Sequence, residues 1–393
     1  MKDVCIIGGG ASGLAAAITA ARKGKKVTII ERNDKCGKKI LISGNGKCNY
    51  FNENQSKEKY HSVNEEHIQE IITKENIEKV KKFFDKLGII PKIIDGYYYP
   101  FSRTAITIQN ALINEAAKLN IEIIYNTKVE KIIKKDYFII NPGKENIKTE
   151  KIILATGSKA APKTGSDGIG YDIAMNFKHK IIKPLPALIN LKGNDKFYKK
   201  WSGVRTEAIL SLYEDDKFVK KEKGEVQLTD QGISGIVTFN LSNYITRNIK
   251  KHKETIYINF LPFLERSLDE LFKTNDNIPE TLERILNYKL VNVILKQANL
   301  KKNFYSKISK KEKQILLNNL INFKIKITDV GSFDKAQVCS GGVPLNEINL
   351  KTMESKIEKN LYLIGELLDI NADCGGYNLT FAWLSGIIAG ENI

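Results

Sequence analysis

The chain has 393 residues, too many for one small core, and 42% of them are hydrophobic, which argues against global disorder. Sixty-two basic residues against 45 acidic ones leave a net charge of +17, a field that favours polyanions, nucleic acid first and membrane surfaces second. Five cysteines with no C-x-x-C pair and four scattered histidines argue against a disulfide framework and a metal site, and no apolar run reaches the roughly 20 residues of a membrane-spanning helix.

Val4 to Ile7 read as a strand buried on both faces, where alternation is lost. Gly8, Gly10 and Gly13 follow in G-x-G-x-x-G spacing and open a helix expected over 11–23. Gly8 permits a tight turn, Gly10 lets the backbone approach a pyrophosphate, and Gly13 lets the helix pack on the strand. Ala11 and Ser12 belong to the same turn, whose unpaired N–H groups and partial positive charge suit phosphates. Val27 to Ile30 form the next strand. Glu31, eighteen residues after Gly13, stands at its end to accept ribose hydroxyls, with Arg32 beside it. A glycine-rich turn that binds nothing is the bland alternative; strand, helix, second strand and acid in this order select dinucleotide binding.

Residues 37–49 form a polar, glycine-punctuated loop, read as a wall for the cofactor through Lys38, Lys39, Ser43, Gly44, Gly46, Lys47, Cys48 and Asn49. The three lysines suit pyrophosphate or RNA phosphate; as ordinary surface lysines they would look the same. Apolar spacing predicts one amphipathic helix over 65–87. A strand over 97–103 ends in a turn, with Arg103 a weaker contact candidate, and a helix covers 105–119. Strands over 121–125, 128–134, 136–141 and 147–154 include a meander, with Val129 in it. Ala155, Thr156 and Gly157 then make a small-residue turn suited to close approach of a cofactor.

Composition shifts near Pro184-Leu185-Pro186. Short strands are expected at 186–191, 205–213, 217–223 and 255–260, and helices dominate from Ser267 onward. Ser267–Glu270 and Ser309–Glu312 fit the capping box, and Pro279 fits the first turn of a helix near 280–298. Lysines crowd residues 296–326, where Glu312 is the sole acid of the run and Phe304 and Tyr305 are interleaved. A solvated helical face is the plain explanation. A track for RNA phosphates is the sharper one, carried by Lys301, Lys302, Lys310 and Lys311. Strand character returns over 324–330.

Near the end, Gly365, Glu366 and Asp369 precede Gly375 and Gly376, which open a helix beginning Tyr377, Asn378, Leu379. A nicotinamide dehydrogenase needs only the first glycine segment. A chain that folds back so that both ends grip one extended cofactor reads most simply as an FAD enzyme.

GGGASGLAAAI, GKKILISGNGKCN, GYYYPFSRTA, GEVQLTDQGISG, CSGGVPLNEI and LYLIGELLDINADCGGYNLTFAWLSG together resemble the HI0933-like flavoproteins, which include proteins labelled YhiN, BaiN and aminoacetone-oxidase-like. The resemblance spans essentially the whole chain, with Lys47 where that pattern usually carries Arg. It implies an α/β, Rossmann-like FAD-binding domain of the two-dinucleotide type over 1–185 and 326–393. It also implies an inserted β-barrel-like domain over 186–262 and a helical domain over 263–325. Activities attributed within the family are formation of dihydrouridine in large-subunit ribosomal RNA, reduction of steroid enones, and amine oxidation.

Reduced flavin gives hydride to an electron-poor carbon, and the neighbouring carbon needs a proton. Cys48 is the first candidate donor, Cys374 the second and Tyr377 the third; the plain readings are a packed thiol or loop residue for Cys48, a spacer for Cys374 and ring packing for Tyr377. The four histidines show no pairing with an acid or serine, so hydrolase triads have no support. The expectation is a cytoplasmic, NADPH- or NADH-driven reductase of a uridine in 23S ribosomal RNA, monomeric or weakly dimeric and without a membrane partner. A small-molecule enone reductase, an amine oxidase and a flavin-bound RNA assembly factor are its rivals.

Overall fold

A computed structural model describes residues 2–140, 146–249, 251–262 and 268–393. The chain divides into two compact units, Met1–Pro186 with Ala336–Ile393, and Ala187–Lys335. No described helix is long and apolar enough to cross a membrane.

The first unit is built from β1 (Lys2–Ile7), α1 (Ala11–Arg22), β2 (Val27–Ile30), α2 (Ala105–Lys118), β3 (Glu122–Ile124), β4 (Ile147–Leu154), β5 (Leu361–Leu363) and α3 (Tyr377–Glu391). These five strands form the parallel part of a nine-stranded sheet, in the order β5-β4-β1-β2-β3, with Ile7 opposite both Leu154 and Ile30. Val4–Ile7, β2, the end of β4 (Ile152–Leu154) and β5 are buried on both faces and show no polar alternation, whereas β3 and the start of β4 are partly exposed. Residues Ile132–Lys134 and Phe138–Ile140 form the expected meander with β4.

The first and last helices meet through missing side chains. A Cβ on Gly386 would lie 2.3 Å from the Ser12 carbonyl oxygen, and one on Gly390 would lie 2.6 Å from that of Ala16. Ala15, Ala16 and Ala20 of α1 are fully buried, so small residues on both helices let the backbones touch. That contact brings the carboxy-terminal segment to the first glycine turn.

The second unit is a seven-stranded antiparallel sheet. Its end strands are consecutive in sequence: Phe323–Ile327 pairs with Glu254–Asn259, while Asp329–Val330 pairs with Leu191–Lys192. One short run therefore joins both edges and closes the sheet into a barrel, which removes exposed strand edges.

Several expected boundaries give way. The single helix over 65–87 is interrupted, because the Thr73 hydroxyl accepts from Asn76 N at 3.2 Å and caps a new helix, Lys74–Lys86. The helix near 280–298 likewise splits into Ile278–Glu283 and Tyr288–Ala298, with Asn287 capping the latter. Residues 217–223 are part of a longer strand, Lys217–Leu228, sustained by pairing with Arg205–Glu214. The stretch read as strands and turns contains a helix, Ile236–Ile245, buried on most sides and so without a visible period. Residues 186–262 and 263–325 do not form separate cores: Leu210 and Ile256 share one cluster with Leu282, Leu290 and Leu316. Residues 326–335 stay with the second unit, since they contain part of the barrel seam. The Ser309–Glu312 capping box forms; Ser267 lies outside the described residues.

Candidate active site

At the first glycine turn the backbone is crowded everywhere except where a ligand belongs. Gly8 has φ +105°, donates its N–H to the Ile30 carbonyl at 2.9 Å, and a Cβ there would sit 2.5 Å from the Ala155 oxygen. A Cβ on Gly13 would lie 2.0 Å from the Gly8 oxygen. Above Gly10, by contrast, nothing among the described residues lies within 4 Å of the missing Cβ. Helix α1 starts there with no side-chain cap and no acid in its first turn. Ala155 is buried, Gly157 takes a left-handed φ of +71°, and the buried Thr156 Oγ1 has no hydrogen-bond partner among the described residues. Val129 packs into the core.

Glu31 is buried and anchored from both sides. One carboxylate oxygen accepts from Gly9 N at 2.7 Å; the other accepts from Asn33 N at 2.8 Å and Asn33 Nδ2 at 2.7 Å. The acid thus braces the glycine turn itself, an arrangement its spacing alone did not reveal. Arg32 pairs with Asp167 at 2.5 Å.

The second glycine segment is locked against the same unit. Gly365 (φ +65°) leaves 2.5 Å between its missing Cβ and Ser12 Oγ, and its N–H donates to Ser385 Oγ at 3.0 Å. Glu366 pairs with Lys39 at 2.5 Å and accepts from Cys339 N at 3.2 Å. Asp369, without solvent exposure, accepts from Ser62 Oγ at 3.1 Å and Val63 N at 2.8 Å. Gly376 (φ +92°) opens α3, again uncapped and without a first-turn acid, and its missing Cβ would meet Asn49 Oδ1 at 2.7 Å. Asn52 Nδ2 donates to the Gly375 carbonyl at 2.8 Å. The Asn378 amide clamps Ala372 through two bonds of 2.8 Å, and Leu379 packs against the core.

Residues 37–49 are more ordered than a loop. Lys38–Ile42 form a helical turn, followed by left-handed Gly44 and Asn45, both at φ 55°. Ser43 Oγ donates to the Ile40 carbonyl, Lys38 pairs with Asp34, and Gly46 and Lys47 are exposed. Asn49 Oδ1 is buried without a partner among the described residues. An extended dinucleotide fits these features. Two uncapped helix starts offer N–H donors to anionic groups, the space over Gly10 admits a phosphate, and Thr156 Oγ1 and Asn49 Oδ1 await polar partners.

The proton-donor candidates fare unequally. Cys48 has no exposed surface and burial pushes its thiol up to about 12, so this first choice is a core residue rather than one presented to substrate. Tyr377 is buried edge-on to Tyr60, with its hydroxyl pushed by burial to about 12. Cys374 is half-buried.

The histidines correct the expectation that none is paired. His61 Nε2 lies 3.0 Å from Asp373, His67 Nδ1 2.6 Å from Glu70, and His252 Nδ1 2.7 Å from Asp215. His179 touches both Glu347 and Ser355 at 2.8 Å, the outline of a triad. Ser355 Oγ, however, accepts from Ile357 N at 3.0 Å and Glu358 N at 2.9 Å, and the His179 side chain is sealed from solvent. That cluster ties loops together and presents no nucleophile.

In the second unit Lys301, Lys302, Lys310 and Lys311 are exposed, as is Phe304 with Lys307 over its ring. Tyr305 is not available for base stacking, since it is buried and stacked on Phe272 at 4.2 Å. Folding also adds acids that the linear run lacks: Asp269 faces Tyr305 and Lys313, and Asp276 holds Ser306.

The family model described as HI0933-like protein Rossmann domain matches residues 2–392. Over its whole length the chain is 36% identical to a 3-dehydro-bile acid delta(4,6)-reductase of Clostridium scindens, covering 98% of that protein. It is 27% identical over 97% of its length to a ribosomal RNA dihydrouridine synthase of Haemophilus influenzae, covering 95% of that protein. Among solved structures, the 3-ketosteroid-delta4-(5alpha)-dehydrogenase of Rhodococcus jostii RHA1 is similar in fold, with a TM-score of 0.52 at 14% identity over all of this chain and 96% of that one.

Proposed function

The chain belongs to the HI0933-like family of FAD-dependent oxidoreductases, and on that premise we propose that it reduces a carbon–carbon double bond conjugated to a carbonyl, drawing electrons from NADPH or NADH, with a uridine of 23S ribosomal RNA as substrate. The observation that carries the reading is the cradle in which Gly10 alone has open space over an uncapped helix start. The Gly10–Gly13 backbone holds the pyrophosphate, and Glu31, steadied by Gly9 and Asn33, takes a ribose hydroxyl. The start of α3 would favour negative charge on a flavin held there, and Asn49 Oδ1 would accept a hydrogen bond from it. When bound, FAD supplies a two-electron reductant; the protein contributes orientation and a proton.

Saturating a delta(4,6) bond and making dihydrouridine are the same chemical operation on different substrates, which supports the reaction class. The charge of +17 and the exposed Lys301, Lys302, Lys310 and Lys311 support RNA. Identity of 36% along the full chain favours a second reading, reduction of a small steroid-like enone. Mass spectrometry of ribosomal RNA with and without the gene separates them. Loss of a two-hydrogen mass increment at one uridine establishes the RNA reaction. Unchanged RNA, with NADPH consumed in the presence of 4-androstene-3,17-dione, establishes the other.

A further inference from the structure

Reduction of a conjugated double bond requires a proton at the carbon that does not receive hydride; of the expected donors, Cys374 is half-buried and the other two are poorly placed. Cys48 is fully buried, Tyr377 is packed against Tyr60, and His179 is sealed. One imidazole stands elsewhere in the same unit. Tyr60–His61 pairs antiparallel with Asn371–Ala372, setting His61 opposite Asn371 and Tyr60 opposite Ala372. Tyr60 in turn lies edge-on to Tyr377 at 6.0 Å, the first residue after the glycine pair.

That ladder delivers His61 to Asp373, two residues before Gly375. The Asp373 side chain is 2% exposed, whereas that of His61 remains 15% exposed. A buried carboxylate must be paired, and Asp373 meets this demand with His61 Nε2 at 3.0 Å and Lys59 Nζ at 3.4 Å. Its own N–H donates to the Lys59 carbonyl at 2.8 Å, so the carboxylate is held by backbone before it orients the ring. A carboxylate fixed in this way behind a partly open imidazole sets the orientation of the ring. His67 and His252, by comparison, pair with exposed acids.

We propose that His61 is the general acid of the reaction and Asp373 its positioning residue, an inference that rests on the reductase reading above. Hydride brings two electrons to the far carbon of the double bond, and the π pair moves toward the carbonyl. The imidazolium of His61 then gives its proton to the near carbon and is left neutral, to be reprotonated from water. NADPH is oxidised, the double bond is reduced, and one solvent proton is consumed.

The test uses the FAD-loaded full chain with NADPH and three acceptors: 23S ribosomal RNA from cells lacking the gene, 4-androstene-3,17-dione, and ferricyanide, which takes electrons without a proton on carbon. His61→Gln should slow reduction of whichever carbon substrate the wild type accepts by about 100-fold or more. Ferricyanide reduction, the visible spectrum of the bound flavin and the affinity for 4-androstene-3,17-dione should stay within twofold of wild type. Asp373→Asn should show the same split to a smaller degree, with Asp373→Glu recovering part of it. Full carbon-substrate turnover in His61→Gln overturns the inference and leaves the reductase reading standing. Equal loss toward ferricyanide also overturns it, by making the role structural. A wild type that reduces neither carbon substrate sinks the reductase reading, and this inference with it.

Discussion

The glycine cradle of the first unit and the lysine face of the second were both visible as sequence, but they are different kinds of signal. In the cradle each residue type is forced by a short distance: Gly13 has 2.0 Å of clearance and Gly8 has 2.5 Å, so no other side chain is possible. On the lysine face nothing forces the residues. Lys301, Lys302, Lys310 and Lys311 are exposed and touch little, and any polar residue would fold as well there. A signal imposed by sterics speaks about the fold; a signal free of sterics speaks about partners or about composition.

The sharpest way to break this contrast is to fill the forced positions. Gly13→Ala and Gly386→Ala each place a methyl against backbone oxygen at 2.0 and 2.3 Å, which cannot swing aside. Each should cost about 3 kcal/mol of stability and yield protein that does not retain FAD, read by thermal melting and by the visible spectrum after purification. A yellow, undiminished Gly13→Ala protein would remove the steric basis of the cradle.

Reversing the unforced face should do the opposite. Changing Lys301, Lys302, Lys310 and Lys311 together to Glu should leave the melting temperature nearly unchanged. Affinity for ribosomal RNA at low salt should fall roughly 30-fold, about 2 kcal/mol. The slope of log affinity against log salt should flatten by about three, one counterion for most of the lost contacts. An unaltered slope would assign these lysines to composition alone.

Gly10 sits between the two cases, since it belongs to the forced motif yet has open space around it. Gly10→Ala, at φ −78°, should fold normally, within about 0.5 kcal/mol of wild type. Its FAD affinity should drop at least tenfold, about 1.4 kcal/mol, as measured by titration of the apoprotein. A stability loss matching that of Gly13→Ala would show that the space over Gly10 is not the ligand's.

The same distinction explains what could be read from the sequence and what could not. The strand–turn–helix around Gly8, Gly10 and Gly13 is legible because its constraints act within a few residues. The pairing of His61 with Asp373, and the close approach of Asn49 to Gly376 and of Gly386 to Ser12, join positions hundreds of residues apart, and no local pattern marks them. Cys48 misled because a thiol's chemistry is visible in sequence but its burial is not. Helix Ile236–Ile245 was hidden because burial on most sides erases the period that betrays an amphipathic helix.

The smallest expected effect tests whether the second unit has electrostatic constraints of its own, apart from its lysines. Glu254 is 2% exposed at a barrel strand end, opposite Glu214, and its Oε1 has no hydrogen-bond partner among the described residues. Burial, with Glu214 adding repulsion, raises its carboxyl to about 7, while the His252 charge opposes the shift. A carboxyl whose folded value lies above its unfolded one binds more protons in the native state. Its contribution is therefore full below the ordinary carboxylate range, declines as pH rises toward about 7, and is gone above that. Glu254→Gln keeps the neutral shape at every pH, so it should match wild type near pH 5 and exceed its stability by about 1 kcal/mol near pH 8. Melting curves at the two pH values decide it: a variant that gains nothing at the higher pH would mean that the Glu254 charge is already compensated.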